Sequence, residues 1–215
     1  MLQDNKIFSK IFLWMFIGLA ITFGIGYYAS VNENMLYNIF SRYYFILIIL
    51  EIVVVIWLSA RIRKMKPITA KILFCLYSFL TGLTFSSIFV VFEIISIMLV
   101  FGITALIFLI FALLGYFTKI DLSKLSVYLF MGLLGVIICS LINMFIGSNT
   151  FDLGITIIAL IIFIAYVAYD IQIIKRNLYN IIEEDNLAIY GAFQLYLDFI
   201  NLFLRLLRLF GKSRD

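Results

Sequence analysis

Histidine is absent from this chain of 215 residues, which contains only one proline and two cysteines. Without histidine the chain cannot form histidine-ligated metal sites, Ser-His or Cys-His catalytic pairs, or a histidine pH switch. Any response to pH near neutrality must therefore come from carboxyl groups. Cys75 and Cys139 each lie in an apolar segment without CxxC spacing, so we interpret them as buried packing thiols. With no nucleophile–base pair in evidence, we expect no enzymatic activity and no cofactor.

Charged residues are also scarce, at 13% of the chain, while 65% of the residues are hydrophobic. A soluble domain has about 45–50% apolar and about 25% charged residues, so this composition indicates a polytopic membrane protein. The single proline and the lack of an alternating apolar pattern favour long helices over a β-barrel. The net charge of +4 is typical of a membrane protein with basic cytoplasmic loops and requires no nucleic-acid partner.

The apolar stretches predict an all-α membrane protein, a seven-helix bundle formed by a single polytopic domain. The first stretch exceeds 20 residues and lacks a small-residue cleavage site, so we expect it to span the membrane rather than to be a cleaved signal peptide. The predicted spans are residues 7–29, 43–60, 72–92, 97–117, 125–146, 153–174 and 187–210.

Most Lys and Arg residues lie on the N-terminal side of these spans, and the loops on the opposite side carry only Arg42. The N-terminus is therefore expected in the cytoplasm. Seven full spans would put the basic C-terminal tail on the other side, against this trend. Either the last helix is re-entrant, or its arginines have a role inside the bundle.

The last predicted helix carries one polar stripe along an otherwise apolar surface. At about 100° per residue, the stripe contains Gln194, Asp198, Asn201, Arg205 and Arg208. A carboxylate at mid-bilayer costs on the order of 3 kcal/mol unless it faces protein, water or an opposite charge. We therefore expect the stripe to face the interior of the bundle. In the simpler alternative, its polar groups only hold neighbouring helices together.

Two acids of the last two helices are candidates for a shared site. Asp170 lies near the end of the sixth predicted helix, and Asp198 lies near the middle of the seventh. If these helices are neighbours, the two carboxyl groups cannot both ionise cheaply, and one proton is held toward neutral pH. Such a pair could exchange its proton for Ca²⁺, which prefers oxygen ligands. The alternative is two separate acids, each neutralised by an arginine.

Glu51, at the centre of the second predicted helix, also needs a partner. Arg205 and Arg208 are the available cations, and an ion pair with either would be structural, because breaking it leaves a buried charge. Arg61 and Arg63, at the cytoplasmic end of the same helix, could instead reach toward Asp170 at the same membrane level.

Four motifs together resemble one protein family. They are LYSFLTGLTFSSIF at residues 76–89, GYFTKIDLS at 115–123, AYDIQ at 168–172 and GAFQLYLDFINLFL at 191–204. The family is the Bax inhibitor-1 family of transmembrane Bax inhibitor motif proteins, and the closest similarity is to its bacterial inner-membrane members. The resemblance covers essentially the whole chain, and the last motif is the most specific.

The resemblance implies seven helices with the C-terminal one at the centre, in a bacterial inner membrane. It also implies a pH-sensitive calcium leak channel gated by a proton-sharing pair of aspartates, which match Asp170 and Asp198. An arginine that latches this pair matches either Arg61 or Arg63. Ile171 stands where many relatives have threonine, a departure that leaves the aspartate pair intact.

The resemblance further implies an ion pair that matches Glu51 with Arg205. It also leaves a second function open, since some bacterial relatives are thought to be regulatory. In that case the chain would bind and modulate a membrane-bound protease or a stress or cell-death factor. Such a partner should co-purify with the protein even after the aspartate pair is lost.

Overall fold

The computed structural model of the chain describes residues 2–177 and 184–214, except for the side chains of residues 2–5 and of Arg63. Nearly all of the described residues are helical. Their one β-type pairing is an isolated bridge between Phe92 and Ser213. Cys75 and Cys139 are free, half-buried thiols, and so are less buried than the sequence predicts.

Seven helical stretches in the described chain are long and apolar enough to cross a membrane, which confirms the predicted fold class. The second of these stretches combines α2, a π-helical turn and α3. The helices are α1 Leu2–Val31, α2 Glu33–Asn38, the π-helical turn Ile39–Tyr43, α3 Tyr44–Arg61, a 3-10 turn Ile62–Lys64, α4 Pro67–Val91, α5 Ile94–Phe117, a 3-10 turn Leu122–Leu125, α6 Ser126–Ile146, α7 Asn149–Asn177 and α8 Glu184–Phe210.

The second span begins earlier in the chain than the sequence predicts. The Asn32 side chain accepts a hydrogen bond from the Met35 amide at 3.1 Å and so caps the start of α2. Because residues 33–42 include several polar side chains, this part of the span lacks the apolar run that marks a membrane helix. Its helical character is visible only in the backbone.

The last span, α8, is a single uninterrupted helix and the most buried of the seven. Its 27 residues correspond to a length of about 40 Å, which exceeds the roughly 30 Å of the hydrocarbon core. The buried share of its most apolar window is 72%, against 56% for α4, which ranks second. Continuity at this length favours a spanning helix over a re-entrant one.

The chain divides into two compact units, and α8 contributes to both. The first unit contains residues 1–94, 178–196 and 213–215, and the second contains residues 95–177 and 197–212. The single membrane domain expected from the sequence stays a prediction.

In the first unit, α1 packs closely against α4. A Cβ atom added at Gly82 would lie 2.9 Å from the Thr22 carbonyl oxygen and 2.9 Å from the Ile25 Cβ atom. A larger side chain at this position would push the two helices apart. The cluster of small residues around Gly82 therefore provides the tight helix contact that the sequence predicts.

A chain of buried hydrogen bonds connects the first half of α8 to this helix pair. The Tyr196 hydroxyl lies 2.6 Å from Thr22 Oγ1, and Thr22 Oγ1 donates to the Ser78 carbonyl at 3.0 Å. A hydroxyl has one proton, so the Tyr196 hydroxyl must be the donor in its bond to Thr22. Tyr196 is fully buried, and this polar contact is satisfied without water.

The second unit contains α5, α6, α7 and the second half of α8. A Cβ atom added at Gly115 of α5 would overlap the backbone of Ala168 in α7, so these helices touch through their backbones. The Phe199 ring of α8 contacts Phe101 and Phe108 of α5, with ring centroids 5.2 and 5.7 Å apart. Phe199, the residue that follows Asp198, is therefore packed against aromatic side chains of α5.

Candidate functional site

The structure brings Asp170 of α7 and Asp198 of α8 together within the second unit. Asp170 lies seven residues before the end of α7, or about 10 Å inside the helix. The two residues are 6% and 5% exposed, and their carboxyl groups are in hydrogen-bonding contact. The fold therefore juxtaposes the two acids that the sequence singles out, whose role as an ion site stays a prediction.

Apolar side chains that are close to these two acids in the sequence are also buried. Val167 and Ile171 of α7 and Leu202 of α8 are almost completely buried. Tyr166, one turn before Asp170, lies close enough to interact electrostatically with both carboxyl groups. Among the described residues, one oxygen of the pair, Asp198 Oδ2, is buried without a hydrogen-bond partner.

The contact between the carboxyl groups limits their ionisation. An ionised carboxylate can only accept hydrogen bonds, so the bond between Asp170 and Asp198 requires a proton on one of them. Loss of that proton would leave two negative charges side by side in a poorly hydrated space. This state is unfavourable unless a cation takes the place of the proton.

Gln172, two residues after Asp170, holds the loop between α5 and α6 against α7. Its Nε2 atom donates to the Ile120 carbonyl at 2.8 Å, and its Oε1 atom accepts from the Leu122 amide at 2.8 Å. The side chain is 5% exposed, and both ends of its carboxamide are paired. Sequence reasoning did not assign a role to this residue, although a glutamine so close to the end of an apolar helix signals a need for partners.

The same loop contains a carboxylate, that of Asp121, which accepts several hydrogen bonds. Asp121 Oδ1 accepts from the Ser123 hydroxyl at 2.6 Å, from the Ser123 amide at 3.0 Å and from Arg176 Nη1 at 2.6 Å. These interactions, led by the Ser123 hydroxyl, lower the pKa of Asp121 to about 2. Lys175 also binds this region, donating to the Tyr116 carbonyl at 2.7 Å. The end of α7 is thus tied to the end of α5 through Lys175 and to the α5–α6 loop through Arg176.

The other residues of the polar stripe lie in separate surroundings and have different partners. Gln194 is half-buried in the first unit. Asn201 donates to the Leu197 carbonyl of its own helix at 2.8 Å. Arg208 pairs with Asp152 near the start of α7, with 2.6 Å between Nη2 and Oδ2, and Arg205 lies near this pair. Asp152 was not predicted as a partner, because nothing local in the sequence connects it to the last helix.

Glu51 lies in the first unit and is bound by hydroxyl groups of α4. Thr81 Oγ1 donates to Glu51 Oε1 at 2.8 Å, and Thr84 Oγ1 lies 3.2 Å from Glu51 Oε2. Arg205 belongs to the second unit, so the predicted pairing of Glu51 with Arg205 stays a prediction.

The two candidate latch residues lie at the end of α3 and in the 3-10 turn that follows it. Arg61 is exposed at the end of that helix, and the side chain of Arg63 lies outside the described part of the structure. The proposed latch on Asp170 stays a prediction for both.

Comparison with known proteins identifies the family. A family model described as "Inhibitor of apoptosis-promoting Bax1" matches residues 4–215. Inner membrane protein YbhL of Escherichia coli (strain K12) is 42% identical over 213 residues, which cover 96% of this chain and 91% of that protein. An uncharacterized protein of Borreliella burgdorferi is 41% identical over 221 residues, with coverage of 100% and 95%.

A more distant relative shows the same extent of similarity. An uncharacterized protein of Deinococcus radiodurans is 32% identical over 216 residues, covering 99% of this chain and 93% of its own length. These matches confirm the resemblance seen in the four motifs. The chain belongs to the Bax inhibitor-1 family of membrane proteins.

Proposed function

We propose that the protein is a pH-sensitive calcium leak channel in which Asp170 and Asp198 exchange their shared proton for a cation. One observation carries this proposal: two buried carboxyl groups from different helices are in hydrogen-bonding contact. The protonated pair has one negative charge at most, and the deprotonated pair has two. Protons and Ca²⁺ therefore compete for the same oxygens.

The small number of acidic ligands fits a leak better than a storage site. Ca²⁺ takes six to eight oxygen ligands, and the pair supplies four at most. Within residues 2–177 and 184–214 no group of three or more Cys, Asp or Glu side chains is placed to hold a metal. Water would have to complete the coordination of the ion. Binding of this kind is weak enough for the ion to leave again, as conduction requires.

Calcium flux into proteoliposomes tests the proposal directly. We expect the wild-type flux to change with pH over the range in which the pair loses its shared proton. Asp198→Asn keeps the size of the side chain and its ability to hydrogen-bond to Asp170, but removes one titrating group. This variant should abolish the pH dependence, and Asp170→Asn should have the same effect.

A matched control uses an acid of the same unit that is already paired with arginine. Asp121→Asn removes a carboxylate that binds Arg176 outside the spans, so it should leave the pH dependence of the flux unchanged. Wild-type protein without calcium flux, or an Asp198→Asn variant with the wild-type pH profile, would contradict the proposal.

For the location, we propose an inner membrane with the N-terminus in the cytoplasm. The excess of Lys and Arg on the N-terminal side supports this orientation, and the relative from Escherichia coli is described as an inner membrane protein. With seven spans the two termini face opposite sides. A reporter that is active only in the cytoplasm should therefore work when fused to the N-terminus and fail at the C-terminus.

A further inference from the structure

The surroundings of Glu51 show how its carboxyl group is satisfied. Glu51 lies ten residues before the end of α3, or about 15 Å inside the helix, and so near the centre of the bilayer. The side chain is partly buried against α4, where Thr81 and Thr84 face it. A charged carboxylate at this depth is costly without a counter-charge, whereas a neutral carboxyl group needs only hydrogen bonds.

A count of the protons in these contacts distinguishes the two states. Thr84 Oγ1 lies 2.9 Å from the Thr81 carbonyl oxygen and 3.2 Å from Glu51 Oε2. Its single proton can serve only one of these acceptors well, and the shorter contact is to the Thr81 carbonyl. If Glu51 were ionised, the Thr84 hydroxyl oxygen and Oε2 would then face each other with no proton between them.

Protonation of Glu51 at Oε2 satisfies every one of these groups. The acid proton is donated to Thr84 Oγ1, the Thr84 proton goes to the Thr81 carbonyl, and the Thr81 proton goes to Glu51 Oε1. Each proton is used once, and no acceptor is left facing another. The ionised form would leave this network incomplete at a depth where water does not replace the missing bond.

No cation within the described part of the first unit forms an ion pair with Glu51. The titratable groups that face it are the phenols of Tyr77 in α4 and Tyr196 in α8, both of which are neutral donors. Arg42 in the π-helical turn and Arg61 at the end of α3 are nine and ten residues away, or about 14 and 15 Å along the helix axis.

We propose that Glu51 holds a proton at neutral pH and is a second proton-binding site, in the first unit and separate from the aspartate pair. A neutral Glu51 joins α3 to α4 through hydroxyl groups and needs no arginine. This inference does not depend on calcium transport, and it differs from the ion pair that the sequence predicts for Glu51.

Modification by dicyclohexylcarbodiimide tests the proposal, because this apolar reagent enters the bilayer and reacts with protonated carboxyl groups. The acid O–H adds across one C=N bond, with the oxygen bonding to carbon and the proton to nitrogen. Transfer of the acyl group to nitrogen then gives a stable N-acylurea, without a leaving group or an oxidant. Mass spectrometry of peptides from the labelled proteoliposomes locates the adduct.

We expect Glu51 to be labelled at neutral pH, at a rate that stays flat between about pH 5 and 7. An ordinary glutamate is protonated in only roughly 1 molecule of 500 at pH 7, and that fraction rises tenfold for each unit of pH decrease. A tenfold rise in the rate of Glu51 labelling for each unit of pH decrease would show that the side chain is ionised at neutral pH and would overturn the proposal. Labelling of the exposed Glu33, measured in the same digest, is the internal reference for the amount of reagent.

Three variants make the result specific. Glu51→Gln should remove the adduct and leave the protein folded, because the amide can accept from Thr81 and donate to Thr84. Asp198→Asn should leave Glu51 labelling unchanged, since the aspartate pair is a separate site. Arg205→Gln should also leave it unchanged, whereas an increase of tenfold or more would reveal the predicted ion pair and overturn the proposal.

Discussion

Removal of the two Gln172 hydrogen bonds in the second unit has an effect on the free energy of loop opening that can be calculated. Gln172→Leu keeps a buried side chain of similar size but loses both bonds to the α5–α6 loop. Each neutral hydrogen bond contributes about 1 kcal/mol net, so the loop should open more easily by about 1–2 kcal/mol. The bond to the Ile120 carbonyl is only partly buried, so the larger penalty of a fully buried orphan does not apply.

Hydrogen exchange in lipid nanodiscs measures this loop opening at the bond itself. The Leu122 amide is protected by Gln172 Oε1, and a loss of about 1–2 kcal/mol corresponds to exchange that is roughly 5- to 30-fold faster. Gln172→Glu should have a smaller effect on this amide, because a carboxylate oxygen can still accept from it while the bond to Ile120 is lost.

Gln194→Leu is the matched control, since it removes a half-buried glutamine of α8 in the other unit. It should leave exchange at Leu122 unchanged. Unchanged exchange at Leu122 in Gln172→Leu would refute the reasoning, because it would mean that the carboxamide does not hold the loop. Equal acceleration in both variants would indicate a general loss of stability instead.

Two further predictions concern the second unit. Hydrogen bonds from Ser123 and Arg176 lower the pKa of Asp121 from 3.8 to about 2. The contribution of this carboxylate to stability should therefore be complete above about pH 4 and disappear as the pH falls toward 2. An NMR titration of the carboxyl group with a midpoint near 4 would contradict the described contacts. Gly115→Ala should destabilise the protein by about 1–3 kcal/mol in thermal unfolding, because the added methyl group overlaps the Ala168 backbone. Gly102→Ala in the same helix is the control. Its methyl group meets nothing within 4 Å, so this variant should be neutral or slightly stabilising.

The number and type of the helices could be predicted from the sequence because they depend on local composition. A run of about 20 apolar residues is a property of a short segment, and a membrane-spanning backbone has to satisfy its hydrogen bonds within that segment. The second span shows the limit of this reasoning. Its polar first part, from Glu33 onward, is helical and begins at a capping bond from Asn32, although its hydropathy does not indicate a membrane helix.

The candidate aspartate pair was accessible from the sequence for a different reason. A carboxylate inside an apolar helix stands out because its burial requires compensation, and the family resemblance connects Asp170 with Asp198. Neither argument establishes a distance. The contact between the two carboxyl groups depends on how α7 and the second half of α8 pack, which involves residues far apart in the chain.

The partners of the other buried polar groups depended on tertiary packing throughout. Composition shows that Glu51, Gln172 and Arg208 each need a partner, since an unsatisfied polar group in a membrane is costly. It does not show that these partners are threonine hydroxyls, a loop backbone and Asp152. Hydrogen bonds and ion pairs act over a few ångströms in space, so the need for a partner can be read along the chain, while its identity follows from the fold.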